Sequence, residues 1–496
     1  SNDNTAIGYA ALWKNTAAYN TAMGFGALQF NTTGTENTAT GWQSLKANTT
    51  GNYNSAFGLG TLQTNTTGSY NTATGQQSLY SNTTASNNTA SGYRALFANT
   101  TGGNNTAVGT QALRLNTTAA YNVAVGYYAL RNNTTGTTNS ALGYEALQNN
   151  TTASHNTALG WHALNANTTG DLNTAVGYNA LGANVNGDRA VAVGVGALGS
   201  QTTSGDTYNT AVGYNTGGAI TTGIRNTYIG GQAGDANQTS HFNVAVGSYA
   251  LTAATSGYNV AVGDQALGST TTGSSLVGVG QGALQANTTG TYNTAMGQAA
   301  GTQVTTGNSN VAIGSNSLYA NQTSSDNTAV GINSLYTTTA TGNTAVGKDA
   351  LRYNTTSGYN TAIGWSAADA LTTGTAMVAV GTNAGGATTT GHNTTAIGYS
   401  ALALNTTSSN NVAVGYNSLA NSTNGPNTAV GSNSLTGLTT GYDNTAVGRN
   451  AGANITNAIR NTAIGDLALS TNTTGHYNTA VGAYSLRYQT TGSKNT

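Results

Sequence analysis

The chain has 496 residues, no formal net charge and only 5% charged residues, with 68 Gly, one Pro and no Cys. Its 13 Lys and Arg are scattered singly, which argues against nucleic acid as a partner. The missing Cys excludes disulfides and thiolate metal sites, and no run approaches the ~18 apolar residues of a membrane-spanning helix. Disorder is a poor fit too, because it goes with high net charge and few aromatics, and this chain carries 27 Tyr.

The bias comes from a repeat. The anchor Asn-Thr-Ala-Val-Gly runs from Asn20 to Gly24, Asn37 to Gly41, Asn54 to Gly58, and onward to Asn478 to Gly482. Between Asn4 and Asn495 there are 30 starts and 29 intervals, nearly all of 17 residues, a few of 16 and one of 19 (Ala190 to Asn209). The consensus is N-T-A-V-G-Y-x-A-L-x-x-N-T-T-G-x-Y. Helical repeats need roughly 33 to 47 residues, and Gly recurs too often for a helix to propagate. The period therefore predicts an all-β fold, a parallel β-solenoid of about 30 coils, each with two short strands and two turns. At about 4.8 Å per coil, 29 repeats would span roughly 140 Å.

The first strand of each coil is T-A-V. Side chains alternate faces along it. The Thr site exchanges freely with Val (Val123, Val244, Val260, Val311, Val412), which indicates a β-branched shape in a half-buried site. The Ala between is nearly always small, which indicates close packing against that face by another layer or another chain. The second strand is A-L (Leu28, Leu45, Leu62, Leu79). Where this Leu becomes Gly217, Gly301 or Gly452, the site three residues on, normally Asn, becomes Ile220, Val304 or Ile455; Ala368 with Leu371 behaves alike. One apolar group leaves and another enters, so both sites reach one interior space. Gly385 with Thr388 is a weaker case, and Gly234 with Asn237 breaks the rule. N-T-T-G is the turn, since Asn and Gly tolerate left-handed corners, and its stacked Asn side chains are placed to form an amide ladder.

The runs Y-N-V-A-V-G at Tyr121 to Gly126 and S-N-V-A-I-G at Ser309 to Gly314 resemble the head repeats of trimeric autotransporter adhesins (YadA-like heads). The longer N-T-A-V-G-x-x-A-L-x-x-N-T-T-G form also looks like repeats of phage tail-fibre and tail-spike proteins. The resemblance covers the whole chain, although the adhesin period is about 14 residues. It implies a left-handed parallel β-roll, three chains in parallel, and a role in attachment at a cell surface or on a virion. The chain starts and stops inside its repeat, which reads as a piece of a longer shaft or a protomer that stacks end to end.

Candidate sites are few. His155, His162, His241, His392 and His476 fall in different repeats with no common offset apparent, and Asp235 has no evident partner. No catalytic, cofactor-binding or metal-binding residue is assigned, and no enzyme is expected. Aromatics recur after the Gly (Tyr9, Phe25, Trp42, Tyr93, Tyr127, Tyr144, Trp161, Tyr178) and before the Asn (Tyr19, Tyr53, Tyr70, Tyr121). They either pack between coils or chains or form a stripe for surface glycans or a host receptor. N-T-T reads as a glycosylation sequon at Asn31, Asn48, Asn65 and Asn82, but turn chemistry explains it without a glycan. The second Thr, one per coil, raises ice binding by a monomeric solenoid as an alternative. Residues 183–240 depart most from consensus, with V-N-G-D-R and the two-residue insertion near S-G-D-T-Y, and form a candidate lateral recognition loop.

Overall fold

The computed structural model of the chain describes residues 3–496. The chain divides into two compact units, Ser1–Ser248 and Tyr249–Thr496. Each is a parallel β-solenoid, and no helix occurs among the described residues. Within the first unit, Thr38–Thr40 pairs in parallel with Ser55–Phe57, Ala39 opposite Ala56. In the second, Thr361–Ile363 pairs with Val378–Val380, Ala362 opposite Ala379. Equivalent residues therefore stack coil on coil.

Each regular coil has one strand, not the two expected. The A-L segment is part of a continuous turn over residues 42–47 in the coil that begins at Asn37. Gln43 (φ 54) and Leu45 (φ 50) are both left-handed there, so no strand can run through them. The turn is still laddered. Gly41 and Gln43 donate their N–H groups to Met23 and Phe25 of the preceding coil at 2.7 and 2.8 Å, while Leu45 and Ala47 donate to Thr61 and Gln63 of the following one at 2.9 and 3.0 Å. A left-handed Leu costs about 1–2 kcal/mol. Burial of its side chain, worth about 1.5–3 kcal/mol, offsets this, since Leu45 is fully enclosed.

The strand alternates as expected, and the layer packed on its Ala face is the turn of the coil itself. Ala39 and its equivalents have no exposed surface and point into their own coil against the Leu side chains. The flanking Thr or Val and the residue before Gly point outward. The lumen of a 17-residue coil is narrow, and a residue no larger than Ala fits between the strand and the Leu of the turn. The Gly that ends the strand is fixed by stacking. Gly58 has φ 133, and a Cβ there would sit 2.9 Å from the carbonyl carbon and oxygen of Gly75.

Two amide ladders complete the interior. The Asn of each turn donates to its predecessor: Asn48 Nδ2 to Asn31 Oδ1 at 2.7 Å and Asn65 Nδ2 to Asn48 Oδ1 at 2.8 Å. Each Nδ2 also reaches a carbonyl of its own turn, as from Asn48 to Gly51 at 2.9 Å. The second ladder is formed by the Asn that opens each coil. The N–H of Asn37 donates to Asn20 Oδ1 at 2.9 Å, and Asn37 Nδ2 donates to the Gly51 carbonyl at 2.9 Å. These side chains are fully buried, where an unmade amide bond costs about 1–3 kcal/mol.

The volume exchange holds in space. A Cβ on Gly217, Gly301 or Gly452 would lie 3.2, 3.5 or 2.9 Å from a side-chain carbon of Ile220, Val304 or Ile455. The two apparent exceptions are filled from elsewhere. At Gly385 the space is taken by Met377, buried in the place of the coil-opening Asn. At Gly234 it is taken by Tyr228, which replaces the strand Ala. A Cβ on Gly234 would lie 2.6–2.8 Å from the ring carbons of Tyr228, and the phenol oxygen accepts a hydrogen bond from Asn237 Nδ2.

Candidate functional site

The histidines share more than the sequence reading found. His241, His392 and His476 each stand fifteen residues after the residue that opens their coil (Asn226, Met377, Asn461). Each Nδ1 accepts a backbone N–H from the preceding coil: from Ile224 at 3.0 Å, Thr375 at 3.1 Å and Ile459 at 3.0 Å. At the same offset Asn52, Ser69 and Asp171 accept from Thr35, Asn52 and Ser154. These histidines are therefore clamps between coils. His155 lies at the next position, and His162 pairs with Glu145 at 2.9 Å. Asp235 has its carboxyl pushed above the usual range by burial. No group of three or more His, Cys, Asp or Glu able to hold a metal occurs among the described residues.

The sequon side chains are inside. Asn31, Asn48, Asn65 and Asn82 are fully buried and their Nδ2 atoms serve the ladder, so a glycan at Nδ2 is incompatible with the folded coil. Of the two turn threonines, the first donates its hydroxyl to the next coil, as Thr49 Oγ1 does to the Thr66 carbonyl at 2.9 Å. The second, as at Thr33, Thr50 and Thr67, is exposed. A further column of Thr hydroxyls lies on the outward face of the strands, where Thr72 and Thr89 are exposed in adjacent coils.

The irregular stretch closes on itself. Gly187–Asp188 pairs in parallel with Gly205–Asp206, Arg189 forms an ion pair with Asp206, and Tyr208 donates its hydroxyl to Asp206 at 3.3 Å. Arg225 lies over both Tyr208 and Phe242, 5.9 and 5.6 Å from the ring centroids. Arg189 and Asp206 pair within the loop, while Asp188 accepts the N–H of Asp171 from the preceding coil at 2.7 Å.

Two surface features remain. One is the outward face of the strands, whose residues before Gly are apolar in most coils and open to solvent in several: Leu142 (48% exposed), Leu159 (42%), Met296 (44%) and Ile363 (41%). In the first unit Val123, Val125, Leu142 and Leu159 line a shallow apolar depression there. The other is the aromatic columns. Successive rings stack between coils, as in Tyr9–Phe25 (5.3 Å, 15°), Tyr53–Tyr70 (4.9 Å, 10°) and Tyr399–Tyr416 (5.6 Å, 14°). Such stacking turns each ring face along the column and its edge to solvent. Comparison of the chain with models of protein families and with curated proteins finds no match.

Proposed function

We propose that the chain is the structural shaft of an extracellular attachment fibre, in which identical parallel chains pack through their outward strand faces. The observation that carries this reading is the apolar strand face. Contiguous exposed apolar surface beyond a few hundred Å² is uncommon on monomers and marks an interaction site. Here the outward residue before Gly recurs once per coil and is apolar in all but a few coils (Thr40, Thr74 and Ser91 are the exceptions in the first unit), so its partner must present the same period. A second copy of the chain in register does. The number three comes from the resemblance to adhesin heads, and a cell surface or a virion fits that resemblance equally. Interior ladders and stacked coils serve rigidity and reach.

The test is the mass of the particle in solution by light scattering, with the chain at 49.5 kDa. The double substitution Leu142→Asp and Leu159→Asp, on the face but outside the core, should lower that mass and leave the β-sheet circular dichroism unchanged. Retention of the assembled mass by the double variant would overturn the assignment of the face.

A further inference from the structure

The geometry points to a saccharide-binding site centred on Trp161, in which one pyranose ring lies on the indole and its hydroxyls reach Glu145 and His162. Tyr127, Tyr144, Trp161 and Tyr178 occupy the position after Gly in four successive coils. Tyr127 and Tyr144 stack (5.2 Å, 11°), so the face of Tyr144 is turned along the column. Trp161 does not continue the stack. Its plane stands at 84° to Tyr144 and 70° to Tyr178, so its edges meet the neighbouring rings and its broad face turns out of the column, with 54% of the residue exposed. Beside it the His162–Glu145 pair, 2.9 Å apart, remains partly open to solvent. An apolar platform with a few convergent polar groups is the usual composition of a small-ligand site. The C–H face of a pyranose matches the indole, and its hydroxyls both donate to a carboxylate and accept from an imidazole.

Contact between chains does not explain this patch. A shared interface repeats in every coil, but the equivalent positions Asp264, Gln281, Gln298 and Ser315 of four other successive coils are polar. Aromatics at this position come in separate runs, such as Tyr9–Phe25–Trp42 and Tyr399–Tyr416, and among them the run at 127–178 has a Trp between two Tyr with an acid–imidazole pair beside it. A straight column of rungs 5.2–6.0 Å apart suits an extended, β-linked chain of sugars lying along it.

The inference deepens the attachment reading and rests on it for the nature of the ligand, but the two fail separately, because one is read from mass and the other from binding. The full chain would be titrated with cellohexaose and with chitohexaose by isothermal calorimetry and saturation-transfer NMR. Expected are saturable binding of at least one hexasaccharide, a loss of about tenfold or more in Trp161→Ala, and no change in Trp365→Ala. Trp365 is equally exposed (59%) at the same offset but stands between Lys348 and Thr382, without aromatic neighbours. Absence of saturable binding to both sugars would overturn the proposal, as would unchanged affinity in Trp161→Ala. A drop in particle mass in that variant would also overturn it, identifying the patch as a chain contact.

Discussion

Tyr228 and Gly234 give the sharpest test of how a coil fills its interior. Replacing Tyr228 with Ala removes a fully buried ring, a change that costs about 3–5 kcal/mol for large aromatics. It also strands Asn237 Nδ2, the phenol's partner, at about 1–3 kcal/mol more. Gly234→Leu alone places a Cβ 2.6 Å from ring carbon Cε2 of Tyr228 and adds a left-handed Leu at about 1–2 kcal/mol, so about 3–5 kcal/mol is expected once overpacking is included. The double variant rebuilds the ordinary Ala–Leu pair, seen at Ala39 and Leu45. It should lie within about 2–5 kcal/mol of the parent, the left-handed Leu and the Asn237 amide left by the phenol being the remaining costs. If the losses added, the double variant would be about 7–13 kcal/mol down, so the coupling energy exceeds the usual 0.5–3 kcal/mol between contacting residues. Stacked repeats open locally, so the assay is hydrogen exchange, by mass spectrometry, of the peptide spanning residues 226–243. Additive losses would show that the two positions do not share one space, and would refute the filling rule.

Other predictions follow from the same geometry. Asn65→Ala removes three ladder bonds (to Asn48, to Gly68 and from Asn82) and should lower local protection by about 3 kcal/mol; Asn287→Ala, flanked by Thr270 and Val304 in place of Asn, should cost about 1 kcal/mol beyond its lost packing, and equal losses would count against the ladder. Gly58→Ala puts a Cβ against the Gly75 carbonyl at a positive φ and should cost about 3 kcal/mol or more, read from the exchange of the two coils concerned. Ala at His241, His392 or His476 removes the Nδ1 acceptor, so the amides of Ile224, Thr375 and Ile459 should lose about 3–10-fold of their protection; Asn at the three positions, as at Asn52, should retain it. Burial holds the Tyr228 phenol well above its usual range, so its contribution is complete below about pH 10, the unfolded value, and falls as pH rises further; Tyr228→Phe should remove that alkaline slope from the same peptide.

Much of the coil is legible in the sequence because its constraints recur every 17 residues. The Gly of T-A-V-G, the turn Asn ladder and the Gly217–Ile220 exchange each leave a columnwise pattern that needs no coordinates. What packs on the strand is less legible. The half-buried Thr or Val and the close packing on Ala are visible in the sequence, but that the packing layer is the coil's own turn depends on the narrow lumen set by the left-handed Leu. The left-handed turn itself is hidden because Leu is a poor residue for that conformation, and burial overrides local preference. Gly234 looked exceptional because its filler, Tyr228, arrives from the strand, six residues earlier, and not from three residues later. The His clamps were obscured because His392 is counted from Met377, a coil whose opening Asn is missing. In the candidate saccharide site the periodic aromatics are visible in sequence, but the turn of the Trp161 ring out of its column is a matter of side-chain packing.

The measurement that bears most directly on the fibre reading is the mass of the intact chain in solution by multi-angle light scattering, against 49.5 kDa for one chain. Parallel packing through the strand faces predicts a mass of several chains, three by the resemblance to adhesin heads, that falls when Leu142 and Leu159 are both replaced by Asp. A particle of one chain, with the apolar strand face open to water, would contradict it.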